Sequence, residues 1–239
     1  HLAARDVLGV AQTGSGKTAA FALPILSKIV ALGSRRKPRT ARALVLAPTR
    51  ELAVQIEETF RLLSKGAHVS TALVLGGVSR NTQVKRMQPG VDVLVATPGR
   101  LMDLVRGRDV DLSETTWLVL DEADRMLDMG FLPDVRRIAK ATHPARQTAL
   151  FSATMPTEIE ELAHTLLRDP VRVETAPQGT AAGEIAQRVV LARTKQKRKL
   201  LTDMLSDPAM ARVIVFARTK HGADRVARDL DRDGIEAAV

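Results

Sequence analysis

The stretch AQTGSGKT, Ala11–Thr18, decides the fold class. An apolar run before it, Val7–Ala11, predicts a strand, and helical periodicity after it predicts a helix over Lys17–Leu32. Backbone N–H groups of a glycine-containing turn at a helix N-terminus bind phosphate oxygens. We therefore expect a loop that binds a nucleoside triphosphate, formed by Ala11, Gln12, Thr13, Gly14, Ser15, Gly16, Lys17 and Thr18.

Two side chains of this loop have defined tasks in such sites. Lys17 can reach the β- and γ-phosphates, and the Thr18 hydroxyl can bind Mg²⁺. Ala11 stands where the general pattern has glycine. The alternative is a loop without a ligand, and a phosphate loop alone does not separate kinases, GTPases, motors and helicases.

The rest of the chain alternates short apolar runs with helix-period stretches, which is typical of a parallel sheet with helices on both faces. Helices are expected to begin at Thr49, at Pro98 and after Pro156, where Thr157 and Glu160 form a capping-box pattern. The predicted strands are Val7–Ala11, Ala43–Ala47, Val69–Leu75, Val91–Ala96, Trp117–Asp121 and Thr148–Ser152.

A change of composition at ETAPQGTAAGE, Glu174–Glu184, predicts a linker between residues 1–173 and residues 185–239. Beyond it the pattern predicts strands over Ile185–Ala192 and Val213–Phe216, helices over Lys195–Ser206 and Gly222–Asp233, and the start of another strand. The basic run RTKQKRK within this part could contact RNA, although a solvated helix face is the favoured alternative.

The charge balance favours an anionic partner. The formal net charge is +9 with a pI of about 10.4, and arginine outnumbers lysine. Nucleic acid is the first partner to consider and an anionic membrane surface the second, with a generally basic composition as the alternative. The chain has no cysteine, which excludes disulfides and fits a cytoplasmic location. No apolar run approaches the roughly 18–20 residues of a membrane span.

A second candidate for chemistry is LVLDEAD, Leu118–Asp124. Asp121 and Glu122 follow a buried-looking strand, at the edge where open parallel sheets bind ligands. There Asp121 can hold Mg²⁺ and Glu122 can polarise the water that attacks a γ-phosphate. The alternative is an acidic helix N-terminus that only complements the helix dipole.

Taken together, six motifs resemble those of DEAD-box ATP-dependent RNA helicases in order and spacing. They are AQTGSGKT, PTRELA (Pro48–Ala53), a glycine pair (Gly76–Gly77), TPGR (Thr97–Arg100), DEAD (Asp121–Asp124) and SAT (Ser152–Thr154). Alanine at the head of the phosphate loop is usual in that family. The stretches DEADRMLDMGF and RQTALFSATM look most like the bacterial RhlE-type branch.

The resemblance implies an α/β fold, with one RecA-like P-loop NTPase domain and a truncated second RecA-like domain. It also implies that the protein binds ATP, Mg²⁺ and RNA that is single-stranded or locally duplex. Its implied catalytic residues are Lys17, Asp121, Glu122, Ser152 and Thr154, with Thr18 and Asp121 as metal ligands. Asp124, Ser152 and Thr154 would couple nucleotide state to RNA. The implied RNA-binding residues are Pro48, Thr49, Arg50, Gly77, Thr97, Gly99 and Arg100. Apart from the resemblance, helix capping explains Thr49 and Thr97, and a solvated surface explains the two arginines.

In the second part, VIVFARTK, Val213–Lys220, resembles the family's first motif of its second domain, with Phe216 and Thr219 at matching places. The family's upstream Gln motif and its RGxD-like and HRxGRxxR motifs are absent from the sequence. We therefore expect a fragment of a helicase with weak nucleotide binding, poor base selectivity and ATPase activity near background. The alternatives are a non-hydrolysing module that binds RNA or a partner, and a different P-loop enzyme.

Overall fold

The computed structural model describes residues 5–12, 15–33, 35–175, 186, 188–210 and 212–239. These residues form two compact units, one up to Thr175 and one from residue 186 onwards. The predicted linker lies largely outside the described residues, as does Ile185. Within the described part, no helix is long and apolar enough to cross a membrane.

The first unit is built on a parallel sheet of seven strands in the order β3-β4-β2-β5-β6-β1-β7. The strands are β1 Val7–Val10, β2 Ala41–Leu46, β3 Thr71–Val74, β4 Val91–Ala96, β5 Trp117–Leu120, β6 Gln147–Ser152 and β7 Val171–Glu174. The helices are α1 Lys17–Leu32, α2 Arg50–Leu63, α3 Arg80–Met87, α4 Pro98–Arg106, α5 Ala123–Asp128, α6 Leu132–Ala141 and α7 Thr157–Leu166.

Helices cover both faces of this sheet, as the sequence predicts. Along β2, Leu44 packs in a core with the side chains of α3 to α7, whereas the neighbouring Val45 packs on the opposite face with those of α1 and α2. Successive strand residues point to opposite faces, so two cores require apolar residues at every position. This explains why the central strands read as continuous apolar runs.

Three details of the first unit differ from the sequence prediction. The strand expected over Val69–Leu75 is shorter, and β7 was not predicted. The prediction of a capping box at α7 is wrong, because Pro156 is the N-cap residue and no side chain caps this helix. Instead the Pro156 carbonyl accepts hydrogen bonds from the N–H groups of Ile159 at 2.9 Å and Glu160 at 3.1 Å.

The described part of the second unit contains a 3₁₀ turn, Thr194–Gln196, and two helices, α8 Lys197–Leu205 and α9 Lys220–Arg232. The described residues within Ile185–Ala192 and Val213–Phe216 form no strand, so those two predictions are wrong, and so is that of a further strand after α9. A strand exists only with a hydrogen-bonded neighbour, which these segments lack among the described residues. Ile214 and Phe216 are consequently 80% and 91% exposed.

Candidate active site at the carboxyl edge of the sheet

Strand order brings the main sequence motifs to one edge of the first unit. The adjacent strands β5, β6 and β1 end at Leu120, Ser152 and Val10, and the motif residues follow each end or form it. The Ala11 N–H donates to the Ser152 carbonyl at 3.0 Å, which fixes the start of the phosphate loop beside the SAT segment. Ligands of open parallel sheets bind outside these carboxyl ends.

The phosphate loop leads directly into α1. Gly16 is the N-cap residue with φ of 82°, a left-handed conformation that a residue with a Cβ adopts only at a cost. The Lys17 ammonium, half-buried, donates to the Ala11 carbonyl at 2.8 Å and so lies across the loop. Gln12 and Ser15 are exposed and Thr18 is half-buried, whereas Thr13 and Gly14 lie outside the described residues.

Asp121 is the buried acid of this edge, with 3% of its surface exposed. Burial raises its pKa to about 6; Lys17 acts in the opposite direction, while the neighbouring Glu122 and Asp124 add to the rise. A nearby cation would stabilise the ionised form of this acid, so the Asp121 carboxylate beside the phosphate loop is suited to bind a metal ion.

Glu122 occupies a strained backbone position next to it. Its φ and ψ of 53° and 56° lie in the left-handed region, which costs a non-glycine residue about 1 kcal/mol or more. The Glu122 N–H donates to Asp121 Oδ1 at 3.0 Å, and its carboxylate lies 3.3 Å from the Arg125 guanidinium. Strained positions of this kind concentrate at functional sites.

The residues present fit Mg²⁺ bound together with a nucleotide. Among the described residues, no group of three or more acidic, His or Cys side chains could hold a metal ion unaided. Mg²⁺ bound to nucleotides uses one or two protein oxygens, with water and phosphate oxygens completing its octahedral shell. The Asp121 carboxylate and the Thr18 hydroxyl are hard oxygen donors of this type, and a cation there would relieve the unfavourable burial of Asp121.

The predicted coupling residues lie in one hydrogen-bonded group. The Asp124 N–H donates to Ser152 Oγ at 3.1 Å, and Ser152 is fully buried. The Asp124 carboxylate accepts hydrogen bonds from both the N–H and the hydroxyl of Thr154, each at 2.9 Å. The start of α5 is therefore tied to the segment that follows β6.

A second set of predicted residues follows the carboxyl ends of β2, β3 and β4. Thr49 caps α2, its hydroxyl accepting from the Leu52 N–H at 3.3 Å, whereas the buried Thr97 precedes α4 without a side-chain cap bond. Capping therefore accounts for Thr49 but not for Thr97. Pro48 is buried and Gly99 is half-buried beside them.

The turn at Gly76–Gly77, after β3, is contacted by two arginines of this second set. Gly77 has φ of 73°, and a Cβ at this position would collide with the Arg50 guanidinium. Arg100 donates to the Val78 carbonyl at 2.7 Å. Arg50, exposed, and Arg100, half-buried, thus converge on one turn. We call this set the arginine turn: Arg50, Gly77, Val78 and Arg100.

Sequence reasoning missed Gln83, which holds the arginine turn from inside. Gln83 is 4% exposed, and its amide oxygen accepts from the Leu75 N–H at 2.8 Å. Its amide nitrogen donates to the carbonyls of Leu75 at 3.0 Å and Val78 at 3.2 Å. The sequence carries no signal for Gln83, because its partners depend on the path of the turn between β3 and α3.

Phe216 and Thr219 belong to the second unit. Thr219 caps α9, because its hydroxyl accepts from the Gly222 N–H at 3.1 Å. The basic run RTKQKRK, Arg193–Lys199, is exposed throughout, and Arg198 forms an ion pair with Asp233 at 2.6 Å. A solvated helix face accounts for that arginine.

Comparison with known proteins agrees with these motifs. The chain is 41% identical over 235 residues to "DEAD-box ATP-dependent RNA helicase 20" of Oryza sativa subsp. japonica, covering 98% of this chain and 48% of that protein. It is 42% identical to "Probable ATP-dependent RNA helicase ddx17" of Dictyostelium discoideum, covering 99% of this chain and 30% of that protein. The chain thus spans less than half the length of these two relatives.

A solved structure shares the fold. The crystal structure of a hypothetical ATP-dependent RNA helicase from Sulfolobus tokodaii matches 73% of this chain and 49% of its own, with a TM-score of 0.66 and 37% identity. The predicted α/β, RecA-like class is thereby confirmed. The family model described as "DEAD/DEAH box helicase" matches residues 1–162, which include the phosphate loop, the DEAD segment and SAT. The chain therefore belongs to the DEAD/DEAH box helicase family.

Proposed function

We propose that this chain carries the ATP and RNA machinery of an ATP-dependent RNA helicase. The observation that carries the proposal is the pair of hydrogen bonds from Thr154 to the Asp124 carboxylate. They tie the strand end that bears Asp121 and Glu122 to the SAT segment, a connection that nucleotide binding alone does not require. The names of the relatives support this assignment.

The chain's residues divide the work on the nucleotide. The Lys17 ammonium would exchange the Ala11 carbonyl for the β- and γ-phosphate oxygens, and the N–H groups after Gly16 would bind further oxygens. Thr18 and Asp121 would hold Mg²⁺, which when bound neutralises phosphate charge. The Glu122 carboxylate would orient and polarise the attacking water.

The arginine turn supplies the cations for RNA. Arg50 and Arg100 would contact the phosphate backbone, and the first N–H groups of α2 and α4 would donate hydrogen bonds to further phosphate oxygens. Such contacts bind without regard to sequence and weaken with salt. The aromatic content of 3% argues against base stacking as the main source of affinity.

Binding of a fluorescent ATP analogue with and without Mg²⁺ tests the nucleotide assignment. Lys17→Ala should abolish binding, and Asp121→Asn should remove its dependence on Mg²⁺ while leaving weak metal-free binding. RNA-stimulated phosphate release then measures coupling. Phosphate release near background together with intact binding would favour the non-hydrolysing alternative, whereas no Mg²⁺-dependent binding would contradict the proposal.

A matched pair of glycine variants tests the RNA assignment. Gly77→Ala would displace the Arg50 guanidinium, so affinity for single-stranded RNA should fall about tenfold, a loss near 1.4 kcal/mol. Gly66→Ala introduces the same left-handed strain at φ of 88° but meets no atom within 4 Å, so its RNA affinity should be unchanged. Equal RNA and DNA affinity in every nucleotide state would overturn RNA specificity.

Three finer assignments remain part of this proposal. The cytoplasmic location rests on the absence of cysteine. The RhlE-type branch rests on two stretches of sequence, and the two relatives compared by sequence, from Oryza sativa and Dictyostelium discoideum, are eukaryotic. The division at residues 174–184 rests on composition.

A further inference from the structure

A cluster of exposed cations lies at the opposite end of the strands that carry the arginine turn. Its members come from the loop before β2, the end of α3 and the turn after α4. We call it the basic surface: Arg35, Arg39, Lys85, Arg86 and Arg108. All five are exposed, and none forms an ion pair within the described part of the chain.

Backbone contacts hold the three segments of the basic surface together. The Arg39 N–H donates to the carbonyls of Met87 at 3.1 Å and Gln88 at 3.3 Å. The Arg39 guanidinium donates to the Arg108 carbonyl at 3.0 Å. At the same junction, a Cβ at Gly90 would collide with the Lys37 carbonyl. The three segments that bear these cations therefore meet at one packed junction.

Two of these arginines occupy strained positions. Arg39 and Arg108 have φ of 61° and 58°, in the left-handed region where glycine or asparagine is favoured. This conformation costs stability in a residue that has a Cβ, and such strain concentrates at functional sites. Glu122, in the candidate active site, is another residue of this kind.

Helices α3 and α4 connect the basic surface to the arginine turn. Helix α3 begins after the turn at Gly77 and Val78, and its eight residues, about 12 Å long at ~1.5 Å per residue, end in the basic surface. Its sequence, RNTQVKRM, has no acidic residue, and its exposed side chains include Arg80, Asn81 and Thr82. Helix α4 likewise runs from Thr97 to the turn that bears Arg108.

We propose that the basic surface binds the phosphate backbone of an RNA segment that continues beyond the arginine turn along α3. The proposal rests on the RNA binding proposed above. The large exposed apolar side chains of the first unit lie outside its three segments, which disfavours a protein interface with an apolar core or an inserted membrane anchor. Arginine-rich surfaces without aromatic residues suit backbone contacts.

The test compares single-stranded RNAs of about 5 and about 20 nucleotides, near the lower limit and beyond the upper limit of the ~4–16-nucleotide sites of single-strand-binding domains. The variant Lys85→Gln/Arg86→Gln/Arg108→Asn removes three charges and leaves the Arg39 contacts in place. Its affinity for the long RNA should fall at least fivefold, with a salt slope about one to three units shallower. Its affinity for the short RNA should stay within twofold of wild type.

A control with the same charge change is Lys140→Gln/Arg168→Gln/Arg172→Gln, three exposed positions elsewhere on the first unit. It should bind both RNAs like wild type. Equal loss for both RNA lengths, equal loss in the control, or no loss in the first variant would overturn the proposal. So would charge-dependent binding of anionic vesicles or a polyglutamate peptide with unchanged long-RNA affinity. Wild-type protein that binds neither RNA would refute the proposed function itself, whereas wild-type binding with an unaffected variant would refute this inference alone.

Discussion

Asp121 is a buried acid whose ionisation opposes folding. Because burial raises its pKa from 3.8 to about 6 in the folded state, the folded form binds the proton more tightly than the unfolded form. The contribution of this group to stability is therefore fully present below about pH 4 and declines as pH rises to about 6. Well above pH 6 the carboxylate is ionised in both states, and its unfavourable burial then lowers stability by an amount that no longer changes with pH.

Asp121→Asn should consequently stabilise the metal-free, nucleotide-free chain at pH 8. One pKa unit corresponds to about 1.36 kcal/mol, so we expect a gain of about 1–3 kcal/mol at pH 8 that shrinks towards pH 4.5. Urea unfolding of both proteins at the two pH values measures the difference directly. A variant that is no more stable than wild type at pH 8 would show that Asp121 ionises without cost.

The turn between β3 and α3 shows how one element positions another. Gln83 on α3 satisfies Leu75 and Val78, and the Val78 carbonyl also accepts from Arg100. We expect Gln83→Leu to remove the buried hydrogen bonds to the Leu75 N–H and carbonyl, costing roughly 1–3 kcal/mol of stability. Since Gln83 no longer holds the turn that carries the Val78 carbonyl, the partner of Arg100, RNA affinity should also fall, by about fivefold.

A double-mutant cycle separates positioning from general destabilisation. In an Arg100→Ala background, Gln83→Leu should cost much less RNA affinity, because the contact it positions is already gone. Thr115→Val removes another buried hydrogen bond, from the Thr115 hydroxyl to the Ala41 carbonyl, and should leave RNA affinity unchanged. Additive losses in the cycle would mean that Gln83 acts only on stability.

These elements also show what the sequence could predict. The bounds of α1 and β4 were predicted correctly, because periodicity and a continuous apolar run are local signals. Strand β7 was missed because its pairing with β1 joins residues far apart in the chain. The apolar run Val213–Phe216 was predicted to be a strand, but composition does not show whether a neighbouring strand is present to pair with it.

In the candidate site, too, local motifs could be predicted, whereas contacts between distant segments could not. The phosphate loop and the DEAD segment are contiguous motifs, so their residues could be named in advance. Gln83 could not, because its function depends on the path of the turn at Leu75 to Val78. The basic surface likewise depends on the packing of Arg39 against Met87 and Arg108.

The two units differ in how much apolar surface they bury. Within the described residues, the second unit buries Ala227 and Leu230, while the first buries apolar side chains on both faces of a seven-stranded sheet. Burial of apolar area is the main source of stability, at about 25 cal/mol per Å². The second unit should therefore open more readily.

Hydrogen exchange measured by mass spectrometry checks this expectation. Amides of α8 and α9 should exchange at least tenfold faster than those of β2 and β4, because opening the second unit exposes little apolar surface. Leu230→Ala removes one of its buried side chains and should accelerate exchange in α8 and α9 further. Exchange in β4 should stay unchanged, since its stability comes from the two cores of the sheet. Parallel acceleration in β4 would instead show that the whole chain unfolds as a single cooperative unit.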